Sequence, residues 1–129
     1  MSEDSSRDRA YQFIAETIDS VPQLEALLLL WNTRPEGWEA EDVSRRLYVN
    51  PVEAERILHD LANQGLISRP TPAPKYAYLS MLPELDELLA CVDQTYRAEI
   101  VTVSKFIHSK GSPAVRAFAR AFRLKKEGN

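Results

Sequence analysis

A chain of 129 residues with formal net charge −3 supports one modest core. Its apolar fraction of 44% and charged fraction of 27% are those of an ordinary globular protein, which sets aside disordered and fibrous classes. One cysteine, Cys91, excludes an internal disulfide and a cysteine metal site and points to a reducing compartment. The charged stretch Met1–Ala10 lacks the apolar segment of a signal peptide, and the apolar run Ala26–Trp31 is far too short to span a membrane, so a cytoplasmic location is expected.

Residues 1–6 read as a frayed tail. The spacing of Tyr11, Ile14 and Ile18, with Phe13 on the flank, predicts a helix from Arg7 to about Asp19. Ser20 as cap, Pro22 in the first turn and Gln23 three residues on predict a second start. The helix from there to Asn32 carries Leu24, Leu27, Leu28 and Trp31 on one face, and Thr33–Gly37 ends it. A short helix over Glu39–Tyr48 turns Ala40, Val43 and Leu47 inward. Asn50, Pro51 and Glu53 then form a strong start for a helix to Gln64, with Ala54, Ile57, Leu58 and Leu61 inward and Gly65 at its left-handed exit.

Beyond Gly65 the pattern becomes extended. Leu66–Arg69 and Lys75–Met81 read as paired strands, joined by Pro70-Thr71-Pro72-Ala73-Pro74, whose prolines rule out a ladder at the tip. Pro83 to about His108 reads as one helix of roughly 25 residues, or about 37 Å. Leu85, Leu89, Val92, Tyr96, Ile100, Val103 and Ile107 line one stripe of it. Such a helix is longer than a small domain, so the stripe is expected to overhang and meet a second copy in a two-fold homodimer. Ser112 and Pro113 begin a last amphipathic helix to about Lys125, with Val115, Phe118, Ala119 and Phe122 on one face. Arg116, Arg120 and Arg123 lie beside that face as a basic tail, whose arginines are either simply solvated or turned to a membrane surface, an acidic partner or nucleic acid.

The order helix, short helix, turn, helix, glycine, strand, proline-rich loop, strand predicts a mainly α fold with a small β-hairpin wing. The expected architecture is a winged helix-turn-helix domain over 7–81, followed over 82–129 by a long C-terminal helix, for dimerisation, and a short amphipathic helix. The segments Trp38–Leu47, Tyr48–Pro51, Val52–Leu61 and Ala62–Ile67 resemble the MarR-type winged helix-turn-helix pattern, from about Val21 to Met81. The whole chain also resembles small bacterial proteins of unassigned function, through Asp19–Leu30 and Arg116–Arg123.

The MarR-type resemblance implies a bacterial transcriptional regulator that binds double-stranded DNA. Pro51–Gln64 would then be the recognition helix, entering the major groove. Asn50, Val52, Arg56, His59 and Asn63 would face the DNA. Arg56 suits guanine and Asn63 adenine or phosphate. Arg45 and Arg46, with Arg69 and Lys75 at the wing, would meet phosphates.

The local charge departs from that pattern. Glu39, Glu41, Asp42, Glu53, Glu55 and Asp60 outnumber Arg45, Arg46 and Arg56, and a carboxylate facing phosphate costs Coulomb energy. The alternative is therefore a winged-helix protein–protein interaction module that binds no DNA. Neither His59 nor His108 has neighbours in a ligand pattern, and no glycine-rich phosphate loop is present, so no metal, cofactor, membrane or enzymatic role is expected.

Overall fold

The computed structural model describes residues 3–69 and 74–111. The chain groups into two units, one of residues 1–21 and 87–129, the other Pro22–Asp86. This grouping differs from the expected division at 81/82, because α1 counts with the C-terminal helices. Six α-helices make up the described part: α1 Glu3–Thr17, α2 Val21–Asn32, α3 Ala40–Leu47, α4 Pro51–Asn63, α5 Pro83–Ala98 and α6 Ile100–His108.

In the second unit, α2 forms where an almost unbroken leucine run needs cover on several sides. Leu24, Ala26, Leu27, Leu28 and Leu30 are all buried. α3 and α4 pack against each other across the turn Tyr48–Asn50, with Val43, Ala54, Ile57, Leu58 and Leu61 inside. The start of α4 follows its sequence: the Asn50 side chain accepts from the Glu53 N–H at 2.7 Å, with Pro51 in the first helical position. Its end is equally local. Gly65 takes φ +78°, and Leu66 N–H donates to Leu61 O and Gly65 N–H to Ala62 O, both at 3.0 Å, the two bonds of a Schellman motif.

Among the described residues no strand forms. The expected wing segments meet at one antiparallel bridge, Ser68 with Ala77, and Tyr76 is bridged on its other side to Trp38. Trp38 and Tyr76 exchange both backbone hydrogen bonds, at 2.7 and 2.8 Å. Prolines at 70, 72 and 74 have no N–H to donate to further pairing. Gly37 allows the close approach beside Trp38: a Cβ there would stand 3.0 Å from Lys75 Cβ. The Pro74–Leu82 stretch leads to Asp86 in the first turn of α5. One of its carboxylate oxygens accepts from Trp31 Nε1 at 2.9 Å and from the Tyr78 hydroxyl at 3.4 Å, while Arg34 stands over the Trp31 ring.

In the first unit, α1 begins at Glu3, so helix replaces most of the tail expected over residues 1–6. Ala10, Tyr11, Phe13, Ile14 and Ile18 are buried as their spacing predicts. α1 lies against α6, with Tyr11 and Phe106 meeting edge to face at 5.2 Å.

The single helix expected over Pro83–His108 is two helices. Glu99 leaves helical geometry at φ −134° and ψ 45°. Its carboxylate takes two hydrogen bonds from Arg7, at 2.7 and 2.9 Å, and one from the Tyr11 hydroxyl at 3.3 Å. That bidentate contact holds Glu99 below the usual carboxylate range and raises Arg7. Behind α6, Lys110 Nζ donates to Ile14 O at 3.0 Å and also to Ile18 O, closing the last turn of α1.

Candidate nucleic-acid interface

Every residue expected to face DNA is at the surface. Arg45, Arg46, Asn50, Val52, Arg56, His59, Asn63, Arg69 and Lys75 are all exposed. The helical periodicity that buries Ala54, Ile57, Leu58 and Leu61 turns the opposite side of α4 outward, and two isolated bridges tie Tyr76 to Trp38 and Ala77 to Ser68.

The arginines are engaged within their own helices. The Arg56 guanidinium is held by Glu53 one turn before it, and its Nη1 stands 3.1 Å from Asp60 Oδ2 one turn after. The Arg56 hydrogen bond keeps Glu53 below the usual carboxylate range. Arg45 Nη2 sits 2.6 Å from Asp42 Oδ1. Arg46 and Lys75 have no ion-pair partner among the described residues.

Glu55, read from sequence only as a carboxylate hostile to phosphate, has a structural task. It accepts the Tyr76 hydroxyl at 2.8 Å and so links the middle of α4 to the segment bridged to Trp38. Burial raises the Tyr76 hydroxyl above its ordinary value, and the Glu55 bond adds to the rise.

Two exposed apolar groups stand at the leading end of α4. Val52 is 80% exposed, and Tyr48, at the turn, is 94% exposed. Tyr48 also takes the left-handed conformation, φ 58°, where glycine is the ordinary choice. Sequence reasoning missed Tyr48, because a non-glycine C-cap leaves no local signature. Beside Val52 runs a shallow open groove of about 550 Å³, lined by Ala40, Glu41, Pro51, Val52, Glu55, Arg56 and His59.

The stripe expected to form a dimer seam is distributed differently. Leu89, Val92, Val103 and Ile107 are buried within one chain, and Leu85 and Tyr96 are partly covered. Ile100, 52% exposed, and its neighbour Val101, 65% exposed, remain outward at the start of α6. The break at Glu99 removes the overhang argument, since α5 and α6 have 16 and 9 residues and span only about 24 and 14 Å. The basic tail, Arg116, Arg120 and Arg123, lies outside the described residues, as do Phe118 and Phe122. Among the described residues no three His, Cys, Asp or Glu side chains come together as a metal site. No helix among them is long and apolar enough to cross a membrane.

No family model matches the chain, and no curated protein does. One solved structure does: a MarR family protein of Mycobacterium tuberculosis, at TM-score 0.54 and 19% identity, covering 98% of this chain and 87% of that one. At that identity the likeness is one of fold alone: the chain has a MarR-like architecture.

Proposed function

We propose that the protein is a bacterial transcriptional regulator that binds double-stranded DNA through α4, with the segments around Ser68 and Tyr76 beside it. The observation that carries this reading is the outward face of α4. Asn50, Val52, Arg56, His59 and Asn63 are exposed together on a helix whose start is fixed by its own cap, and Arg46 and Lys75 flank it as cations for phosphate. A homodimer belongs to the same proposal, since two copies would present two such helices to half-sites about one helical turn apart. Ile100 and Val101 are an exposed apolar pair suited to that contact.

A mobility shift with duplex DNA at low salt, where phosphate attraction is strongest, tests it. Arg46→Ala should weaken binding to all sequences alike. Arg56→Ala should relax base preference at a cost of about 1–3 kcal/mol.

The second reading, a winged-helix module that binds a protein, draws on the ion pairs. Arg56 and Arg45 are already neutralised by Glu53, Asp60 and Asp42, leaving the face with more carboxylate than free cation. Absence of any shift at low salt would leave this reading standing.

A further inference from the structure

We propose that Val52 is a specificity-determining residue that recognises the C5-methyl group of thymine in the major groove. The inference rests on the DNA-binding reading and names what α4 selects.

Val52 follows Pro51 in the first turn of α4, the part of a recognition helix that meets base edges. Its position is rigid: Asn50 holds the Glu53 N–H, and the Pro51 ring fixes the backbone immediately before Val52. Its side chain is 80% exposed, and Ala40 and Pro51 continue the apolar wall of the adjoining groove.

Part of the polar chemistry of this face is engaged within the chain before any base is met. Arg56, the natural reader of guanine, is clasped by Glu53 and Asp60, and Glu55 accepts the Tyr76 hydroxyl. An apolar side chain gains nothing from phosphate, and against a polar base edge it displaces water from donors and acceptors that it cannot satisfy. Among the four bases, thymine alone offers the major groove an apolar group. A methyl seated against Val52 removes apolar surface from water on both partners. Discrimination by this contact is a matter of one methyl, so it is modest at each base pair and adds up across a site.

The test begins with selection from a pool of random duplexes at low salt. The enriched duplex is then synthesised twice, once with thymidine and once with deoxyuridine, which differs only by the missing methyl. Anisotropy titrations should show the uracil duplex bound about fourfold more weakly for each contacted thymine. Val52→Ser, whose helix content should match the parent because the side chain is exposed, should bind both duplexes nearly alike, near the parent's affinity for the uracil form. Val52→Thr keeps one methyl in place and should retain part of the preference. Equal binding of the two duplexes by the parent protein overturns the assignment while leaving DNA binding intact. Undiminished discrimination in Val52→Ser does the same. If no duplex is enriched at all, the DNA-binding reading fails and the thymine assignment falls with it.

Discussion

The Tyr76 hydroxyl donates to a Glu55 carboxylate oxygen at 2.8 Å, joining residues 21 positions apart in the chain. It is a tie between the middle of α4 and the segment bridged to both Trp38 and, through Ala77, to Ser68. Tyr76→Phe keeps the buried ring and removes only the bond, so it should cost about 1 kcal/mol. Urea unfolding should show a lower midpoint with an unchanged slope. An unchanged midpoint would mean that water replaces the bond at no cost.

Alkaline pH should weaken the fold through three tyrosines. Burial is the leading cause that raises the hydroxyls of Tyr11, Tyr76 and Tyr78 above their ordinary value of 10.0. Their contribution is therefore complete below that value and is lost as pH rises through the elevated ones. Lys110 works in the opposite direction. Burial lowers it below 10.5, so the folded chain binds fewer protons between its depressed value and 10.5, and stability rises with pH there. Thermal midpoints across this range should fall less steeply in Tyr76→Phe, and Lys110→Met should remove the opposing rise. Identical profiles for the parent and both variants would exclude these groups as the source.

Releasing Arg56 should strengthen DNA binding. In Glu53→Gln with Asp60→Asn, the guanidinium loses both ionic partners and the face loses two negative charges. Each removed carboxylate is worth about 1 kcal/mol when it stands near a phosphate in water. Low-salt affinity should therefore rise by roughly tenfold or more, with a steeper salt dependence. Weaker binding by the double variant would show instead that the ion pairs hold Arg56 in its binding orientation.

Ile100→Glu with Val101→Glu should yield a monomer. Light scattering of the parent should report about twice the chain mass of 14.7 kDa, and the variant that mass once. The substitution lies on exposed positions, so helix content should be retained. A parent already at 14.7 kDa would end the dimer proposal.

Helix starts and stops were legible in sequence wherever a local device made them. Asn50-Pro51 begins α4, and Gly65 closes it, because capping chemistry acts within a few residues. The inward and outward faces of α4 were legible for the same reason, since 3.6-residue periodicity decides both. The break at Glu99 was not. Ala98-Glu99-Ile100 contains neither proline nor glycine, and the groups that hold Glu99 come from α1, 92 and 88 residues away. The pairings of the candidate site were half visible. Glu53, Arg56 and Asp60 stand at helical spacing in the sequence, whereas Glu55 with Tyr76 joins residues 21 positions apart, which no local pattern encodes.

Both tryptophans of the chain, Trp31 and Trp38, lie within Pro22–Asp86. Their indole N–H groups donate at 2.9 Å, one to Asp86 and the other to Thr33. Intrinsic indole emission is therefore a built-in label for this unit alone, whereas far-ultraviolet dichroism sums helices from both. Superimposable melting curves from the two signals would identify a single cooperative block. Separated curves would mean that the segment bearing α3 and α4 opens on its own schedule, and emission would follow that opening without any attached dye.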